Sequence, residues 1–339
     1  MRNKFIFVLF LFFFFKTPGQ NPGYAILFYN TENLFDLKDD PHKNDNEFTP
    51  EGDRHWTYNR FRHKITNTSK ALLGAAGWDV PVLIGLCEIE NRYVLEQLID
   101  STALGERNFR IIHKESPDPR GIDVAMLYNS DIFYPLKYEY FPFINEDGSI
   151  RETREIMYVV GIINKSDTVH VFVNHWPSRY SGLLETRSLR NRAANLLRQK
   201  VDSLFQKNAS PGIIIMGDFN DQPTDASLLE HLKAENLSSI IHPEKLYNLS
   251  TNWMQADKGT LKYQSQWFVF DQIIVSGALL NAKSGLFTES DWASIYFGSF
   301  LLEEDQTHGG MKPYRTYVGY RYNGGFADHL PVKLRLESP

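Results

Sequence analysis

The 339-residue sequence predicts an α/β fold built on mixed β-sheets. Short apolar runs bounded by glycine, proline and polar residues alternate with longer segments of helical periodicity, a pattern typical of α/β proteins. Two neighbouring runs, REIMYVVGIIN and DTVHVFVNH, are joined by a turn signal at residues 164–167 and have no helix between them. Such a hairpin is antiparallel, so a mixed sheet fits the sequence better than a purely parallel one.

The first twenty residues have the pattern of a secretory signal peptide. Arg2 and Lys4 precede eleven consecutive apolar residues, Phe5 to Phe15, and polar residues follow them. Eleven apolar residues fall short of the roughly 20 that a membrane-spanning helix requires. We therefore expect a secreted or periplasmic protein that has no stable membrane span and from which residues 1–20 are removed.

Residues 21–339 are predicted to form one domain, because no linker-like, low-complexity or repeated segment interrupts them. Without the first twenty residues the chain carries 33 basic and 41 acidic side chains, a net charge of −8. This charge argues against a bulk electrostatic grip on nucleic acid, although a metal ion would supply positive charge locally. The one cysteine, Cys87, lies in an apolar run, so we expect a buried thiol and no intramolecular disulfide.

The predicted strands end in polar residues of a restricted kind. The strands AILFYN, PVLIGLCE, VHVFVNH and IIIMGDFN each finish on such a residue, FVFDQIIV carries one within its run, and FADHLPVKL carries two. Because strand ends are where rigid scaffolds present functional groups, we expect these residues to meet at one rim. The residues are Asn30, Glu88, His175, Asp218, Asn220, Asp271, Asp328 and His329.

Four helices are predicted between the strands, at residues 58–73, 92–98, 183–205 and 226–237. Asp225 is a suitable N-cap for the last of them. The acidic and aromatic segment from Asp36 to Trp56 has no such periodicity. We favour a solvated loop there, with a further cation site or a wall of the substrate entrance as the alternatives.

The rim residues comprise four carboxylates, two amides and two imidazoles. Hard cations such as Mg²⁺ and Mn²⁺ prefer oxygen-rich sites of this kind. Taken singly, each residue has an ordinary alternative: Asp218 and Asn220 as a turn or helix cap, and each histidine as a packing residue. The sequence contains no cysteine and histidine spacing for structural zinc, no phosphate-binding glycine motif and no nucleophile elbow. These absences argue against the corresponding enzyme classes.

Seven segments of the chain occur in a characteristic order: FYNTENLFD, LIGLCEIEN, RGIDVAMLY, VNHWPSR, MGDFNDQP, FDQIIVS and ADHLPV. Together they resemble the motifs of the endonuclease/exonuclease/phosphatase superfamily, which includes deoxyribonuclease I and exonuclease III, and most of all its secreted bacterial branch. The resemblance spans roughly residues 24–336. It implies a four-layer α/β/β/α sandwich of two mixed β-sheets with outer helices, and a catalytic domain over residues 21–339. It also implies Mg²⁺-dependent cleavage of phosphate esters, with Mn²⁺ or Ca²⁺ as alternative cofactors.

The resemblance assigns the metal site. Asn30 and Glu88 would hold the ion, and Asp328 would lie close to it. Glu32 matches an acidic position that exonuclease III-like members use near the metal and that deoxyribonuclease I lacks, so its assignment as a ligand is the least specific of the four.

The resemblance also assigns the catalytic residues. Asp218 and Asn220 would orient the attacking water and the phosphate, Asp271 would pair with His329, and His175 would stand opposite. A carboxylate beside an imidazole fixes its tautomer and raises its basicity, which suits proton transfer near neutral pH. The general base remains open between the histidine pair and Asp218.

Three arginines near these motifs are candidate phosphate contacts, since the planar guanidinium suits phosphate oxygens. Arg154 stands where deoxyribonuclease-like members have a phosphate-contacting arginine. Arg120 precedes GIDVAML, and Arg179 follows NHWPS. Each has an ordinary alternative as a surface arginine.

The sequence therefore predicts a secreted, metal-dependent phosphodiester hydrolase, with a nuclease acting on DNA or RNA as the favoured function. A phosphatase or a phospholipid phosphodiesterase acting on inositol phosphates or sphingomyelin is the alternative, which the acidic charge and abundant tryptophans leave open. An inactive binding module is disfavoured because every motif position carries a competent residue. The expected partner is nucleic acid or another phosphoester.

Overall fold

A computed structural model describes residues 23–145, 147–165, 167–180, 182–254, 258–282 and 284–338. The predicted signal peptide, residues 1–20, lies outside the described residues. The helices are α1 (Tyr58–Ala76), α2 (Arg92–Asp100), α3 (Leu183–Lys207) and α4 (Gly277–Leu280). The strands are β1 (Tyr24–Leu34), β2 (Val80–Ile89), β3 (Phe109–His113), β4 (Asp123–Asn129), β5 (Phe133–Phe141), β6 (Ile156–Ile163), β7 (Asp167–His175), β8 (Gly212–Asp218), β9 (Ala234–Glu235), β10 (Leu246–Asn248), β11 (Leu261–Tyr263), β12 (Gln266–Phe268), β13 (Asp271–Ser276), β14 (Ala293–Ile295), β15 (Leu302–Glu304), β16 (Met311–Pro313), β17 (Tyr317–Val318), β18 (Arg321–Tyr322) and β19 (Val332–Leu336).

The large strands form two mixed sheets, as predicted. The first has the order β14-β19-β1-β2-β4-β3, and the second has the order β5-β6-β7-β8-β13-β10-β9. In the first sheet β1 and β2 run parallel, and in the second β7 and β8 do, while their outer neighbours β19, β4, β6 and β13 pair antiparallel. The predicted hairpin joins β6 to β7 with Asn164 and Lys165 at positive φ, the backbone geometry of tight hairpin turns.

Alternation along the strands produces four layers. In β1, Ile26 and Phe28 point to the core between the two sheets, while Leu27 and Tyr29 point to the core beneath α1 and α2. Apolar residues of the second sheet, such as Ile215, pack on its other face against α3. The α/β/β/α sandwich is thereby confirmed, and Cys87 lies buried within it.

Two local predictions differ from the structure. The predicted helix at 226–237 is a single π-helical turn, Ser227–His231, followed by the short strand β9, because Lys233 takes a positive φ that ends the turn. The segment Asp36–Trp56 is solvated only in part. Phe48 stacks on Phe35 at 4.2 Å, and the buried Trp56 donates its indole N–H to the Phe35 carbonyl.

The strand registers place the predicted rim residues at one end of both sheets. Asn30 lies opposite Cys87 in the β1–β2 pair. Asp218 lies opposite both His175 and Asp271, one on each side of β8. Within the described ranges, none of the helices combines the length and the apolar character that a membrane span requires.

Candidate active site

Asn30 and Glu88 reach the end of the first sheet through irregularities in their strands. The β1–β2 register shifts between Asn30 and Leu34, and the β2–β4 register shifts at Glu88. Glu88 has a φ of 59° and Glu32 a φ of 50°. A glutamate in this left-handed region costs on the order of 1–3 kcal/mol, and bulges re-aim side chains at sheet ends. The strain indicates that the surrounding structure fixes these two carboxylates.

The second sheet supplies His175 and Asp218 from the parallel ends of β7 and β8, and Asp271 from the start of β13. Asn220 follows β8 at a φ of 51°, a conformation that asparagine tolerates well. Its backbone N–H donates to Asp218 Oδ1 at 2.9 Å, and its side-chain amide donates to the Trp176 carbonyl at 3.1 Å. The local turn therefore orients both Asp218 and Asn220. A role as a plain helix cap does not account for these contacts.

Asn30 connects the two sheets. Its amide nitrogen donates to Asp218 Oδ2 at 3.1 Å and lies 3.4 Å from Glu88 Oε1. His175 Nε2 lies 3.9 Å from Glu88 Oε1 and 3.8 Å from Asp218 Oδ2. We call the residues that meet here the sheet-edge cluster: Asn30, Glu88, His175, Asp218, Asp271 and His329.

His329 enters the cluster from the segment before β19. Its Nδ1 lies 2.6 Å from Asp271 Oδ2, and its Nε2 lies 3.8 Å from Asp218 Oδ2. Burial by itself lowers the pKa of His329, but the carboxylates of Asp271 and Asp218 raise it well above its ordinary value. An imidazolium in this position directs one N–H at Asp271 and the other at the centre of the cluster.

His175 is in the opposite electrostatic situation. Burial, followed by the nearby positive charges of Arg154, Arg120 and His329, lowers its pKa well below its ordinary value. Its Nδ1 is buried without a hydrogen-bond partner among the described residues. Two imidazoles of one cluster therefore carry different charge at neutral pH, an arrangement that separates a proton donor from a neutral hydrogen-bonding group.

Asp218 lies between the two histidines. Burial and the Asp271 carboxylate raise its pKa to about 7, against the lowering effects of His329 and of hydrogen bonds from Asn220 and Asn30. A carboxylate whose pKa is near neutrality is suited to accept a proton from an attacking water.

Glu32 and Asp328 lie beside the cluster and share one guanidinium. Arg315 Nε donates to Glu32 Oε1 at 3.0 Å, and Arg315 Nη2 donates to Asp328 Oδ2 at 2.9 Å. The other oxygen of Glu32 accepts from the Thr316 N–H at 2.7 Å. Both oxygens of Glu32 are thus occupied by protein donors, whereas Asp328 keeps one oxygen free of the Arg315 contact.

Arg154 and Arg120 share the carboxylate of Asp118. The buried Arg154 donates to Asp118 Oδ2 at 2.9 Å and to the Trp176 carbonyl at 2.9 Å, while Arg120 donates to both Asp118 oxygens. Arg154 has 4 % of its side chain exposed and Arg120 has 50 %. Arg120 therefore has the surface to contact a substrate, and Arg154 acts on the cluster mainly through its charge.

Arg179 lies on the other side of the Asn220 turn. It donates to the Asn220 carbonyl at 2.7 Å and pairs with Asp221 and Asp225, and its guanidinium stacks on Phe270. These contacts tie the loop after β7 to the loop after β8. Asp225 caps no long helix here, but it accepts from the Gln222 N–H at 2.7 Å.

The donor set fits a hard divalent cation. Glu88 offers oxygen atoms at the open end of the cluster, where its side chain is 18 % exposed. The Asn30 amide nitrogen faces Glu88 while its Oδ1 accepts from the Glu32 N–H at 3.0 Å, so this amide would have to turn to give the ion an oxygen. Asp271 Oδ1 is buried with no hydrogen-bond partner among the described residues. Ligand atoms of Asp218, Asp271 and His329 lie within 4.8 Å of one another, a set that could hold a metal ion only if His329 gave up a proton.

Sequence reasoning missed three residues that organise this site. Arg315 neutralises Glu32 and Asp328, Asp118 holds two arginines, and the buried Lys64 donates to the Thr316 hydroxyl and to the Phe326 carbonyl behind Glu32. Burial lowers the pKa of Lys64 to about 8, against the raising effect of the Glu32, Asp328 and Glu88 carboxylates. In the sequence these three residues share only one feature, a charge close to a motif. Charged residues near motifs are so common that this feature does not identify a site residue.

One protein family matches nearly the whole chain. A family model described as Endonuclease/Exonuclease/phosphatase family matches residues 25–338. No curated protein sequence matches the chain.

Solved structures share the fold at low sequence identity. An endonuclease/exonuclease/phosphatase family protein from Bacteroides thetaiotaomicron is 14 % identical with a TM-score of 0.54, over 93 % of this chain and 98 % of that one. D. rerio TDP2 in complex with a single-strand DNA product is 12 % identical with a TM-score of 0.54, over 94 % and 100 %. The human Nocturnin catalytic domain with bound sulfate is 13 % identical with a TM-score of 0.53, over 94 % and 95 %. Similarity at this level establishes the fold alone.

Proposed function

The chain belongs to the endonuclease/exonuclease/phosphatase family, and we propose that it is a secreted nuclease that hydrolyses phosphodiester bonds of DNA or RNA with the aid of a divalent cation. Family membership implies metal-dependent hydrolysis of the phosphodiesterase or nuclease type. The nuclease activity and the secretion are the finer part of the proposal. Mg²⁺ is the proposed ion, with Mn²⁺ or Ca²⁺ as alternatives.

The observation that carries the proposal is the electrostatic division within the sheet-edge cluster. Asp271 holds a charged His329 at 2.6 Å, His175 is neutral, and Asp218 lies between them with 3.8 Å to each imidazole. Phosphodiester hydrolysis needs a proton acceptor for the water, a proton donor for the leaving oxygen, and stabilisation of the phosphate charge. The cluster contains a candidate for each of these needs.

In the proposed mechanism Asp218 accepts a proton from the attacking water at Oδ2, the oxygen that accepts from the Asn30 amide and lies 3.8 Å from each imidazole. As the water attacks phosphorus, the bond from phosphorus to the leaving oxygen breaks, His329 donates its Nε2 proton to that oxygen, and Asp271 keeps the ring in place. His175 hydrogen-bonds a non-bridging phosphate oxygen, and Asn220 orients Asp218 through its backbone N–H. A divalent cation on Glu88 and Asn30 would neutralise charge on the phosphate oxygens.

Two features support a polymeric nucleic acid substrate. Arg120 is half exposed and close to Glu88, so it can contact a phosphate at the entrance of the cluster. Tyr180 is 97 % exposed and follows Arg179, which fixes its loop to Asn220. An exposed aromatic ring beside a phosphate site can stack on a base, a contact that tolerates any sequence.

A phospholipid phosphodiesterase is the second candidate, favoured by one observation. Leu183 and Leu184, three and four residues after Tyr180, stand at the start of α3 with 44 % and 68 % of their surfaces exposed. Apolar side chains near a phosphoesterase site would suit contact with a lipid surface.

The proposal is tested by plasmid nicking with the purified chain from residue 21 onward. We expect nicking with Mg²⁺ and none in excess EDTA, with recovery when Mg²⁺ is added back. Nicking that persists in EDTA would contradict the metal requirement.

A substrate panel separates the two candidates. DNA, RNA, inositol phosphates and sphingomyelin are assayed with one enzyme preparation at increasing salt. A nuclease should lose substrate affinity with salt because phosphate contacts release counterions, whereas small phosphoesters should respond much less. Cleavage of sphingomyelin without cleavage of nucleic acid would replace the nuclease proposal by the lipid one.

A further inference from the structure

A pocket opens beside the sheet-edge cluster, between the β11–β12 hairpin and the β15–β16 hairpin. It encloses about 200 Å³, and since a water occupies roughly 30 Å³ it has room for a group as large as several waters. We call it the hairpin pocket, and its lining includes Lys262, Tyr263, His308, Lys312, Arg315 and Asp328. All of these except Asp328 lie outside the seven segments that carry the family resemblance.

The hairpin pocket shares a wall with the sheet-edge cluster. Asp328 lines the pocket and immediately precedes His329, and Leu261 of β11 pairs with His329 in an isolated β-bridge. Arg315, which also lines the pocket, donates to Asp328 across this wall. Along one strand of duplex DNA a phosphate recurs about every 3.4 Å of helix axis. A strand bound at the cluster can therefore place a neighbouring phosphate in the pocket.

The acid at the base of the pocket, Asp305, is occupied by protein donors. Its Oδ1 accepts from the backbone N–H groups of Thr307 and His308, each at 3.1 Å. Its Oδ2 lies 2.9 Å from Lys262 Nζ, and the side chains of this ion pair are 5 % and 4 % exposed. Lys262 also donates to the Gly309 carbonyl at 2.6 Å. Asp305 and Lys262 therefore hold the two hairpins together and balance each other's charge.

Lys312 is the lysine of the pocket whose donors are unused. Its Nζ lies 3.8 Å from Glu303 Oε1 and 4.0 Å from Asp305 Oδ1, beyond the length of a hydrogen bond to either. Glu303 instead accepts from the side-chain amide of Asn323, which donates to both of its oxygens. Among the residues that the structure describes, no hydrogen bond engages the Lys312 ammonium or Arg315 Nη1. Two cations that line one pocket therefore keep N–H donors for a ligand.

We propose that the hairpin pocket binds a second phosphate of a nucleic acid strand, next to the one that is cleaved, through Lys312 and Arg315. This inference rests on the proposed nuclease function and adds a substrate contact to it. Ammonium and guanidinium groups donate charge-assisted hydrogen bonds to phosphate oxygens, and its carboxylate partners hold the Arg315 guanidinium in place. Tyr263, 65 % exposed, can stack on the adjoining base. Because the chain as a whole is acidic, such local donors would have to supply the attraction for the strand.

The salt dependence of DNA binding tests this contact. A fluorescein-labelled oligothymidylate of about ten nucleotides is titrated with the purified chain in EDTA at several KCl concentrations, so that affinity is measured without cleavage. Each phosphate contact on single-stranded DNA contributes about 0.7 to the slope of log K against log salt. We expect Lys312→Met to lower the slope by about 0.7 and Lys312→Arg to retain it. Lys137→Met removes the same charge at an exposed lysine of β5, outside the pocket, and should leave the slope unchanged.

Thermal unfolding provides the folding control. Lys312→Met should keep the Tm of the unchanged protein, because the Lys312 ammonium makes no hydrogen bond to the described residues. An unchanged slope in Lys312→Met, an equal fall in Lys137→Met, or no binding of the oligonucleotide would overturn the proposed phosphate contact. Plasmid nicking together with an unchanged slope would remove this contact alone. A slope that depends on Lys312 in a chain that does not nick DNA would instead remove the nuclease activity and keep the contact.

Discussion

The sheet-edge cluster and the group of carboxylates beside the end of β2, which we call the acidic cleft, both contain buried acids but differ in how charge is balanced. The acidic cleft consists of Asp36, Asp39, Asp40, Asp45, Glu90 and Glu115, of which Asp36, Asp45 and Glu90 are buried. In and beside the cluster, Asp271 has the imidazole of His329, and Glu32 and Asp328 share the guanidinium of Arg315. In the cleft, Asp45 and Glu90 have backbone N–H donors and each other.

This difference separates two kinds of buried carboxylate, those with a cationic side chain as partner and those without one. A carboxylate with a fixed cationic partner keeps a defined position and charge state, which suits a role in catalysis. A carboxylate pair without one holds a proton instead, and burial accordingly raises the pKa of Glu90 to about 9. Three substitutions test whether fixed partners are what distinguishes the cluster.

The largest effect is expected from His329→Ala. The substitution removes the proposed proton donor, and the rate of DNA nicking should fall about a thousand-fold, or about 4 kcal/mol in the barrier. Asp271→Asn should produce a smaller loss in the same direction, because it leaves the ring without its orienting carboxylate. His242→Ala, at an exposed histidine, is the control. A rate close to that of the unchanged protein, with unchanged circular dichroism, would show that His329 is not the donor.

An intermediate effect is expected from Arg154→Met. The substitution leaves Asp118, whose side chain is 3 % exposed, without its buried partner. The free energy of unfolding should fall by about 3 kcal/mol, since Arg120 can compensate only in part. Urea denaturation measures the change, and Arg110→Met at an exposed position of β3 provides the comparison. A stability loss no larger than in that control would mean that Arg154 is free for the substrate.

The smallest effect is expected from Arg315→Met. Its side chain is 42 % exposed, so solvent screens the loss and the free energy of unfolding should fall by about 1 kcal/mol. The variant makes Glu32 and Asp328 resemble the acidic cleft, because their shared cation is gone. We therefore expect thermal unfolding of this variant to become more sensitive to added Mg²⁺ than that of Arg321→Met, an exposed control. Identical Mg²⁺ responses would indicate that Arg315 does not set the charge balance there.

Much of the fold and part of the candidate site could be predicted from the sequence. Strand periodicity and the turn signal at residues 164–167 predicted mixed sheets, and the motif order predicted the family. The registers then brought Asn30, His175 and Asp218 to one edge, as expected from residues that end parallel strands. Helical periodicity failed at residues 226–237, because Leu228, Leu232 and Ala234 face the same core from a turn and a strand.

The sequence by itself determined which chemical groups were available, because motif residues and strand periodicity are local properties of the chain. Only the tertiary structure decided how those groups are charged and paired. Arg154 is occupied by Asp118, Glu32 by Arg315, and Asp45 is left facing Glu90, through contacts between segments 36 to 283 residues apart. Burial and distance set these interactions, and neither quantity is encoded in a short stretch of sequence.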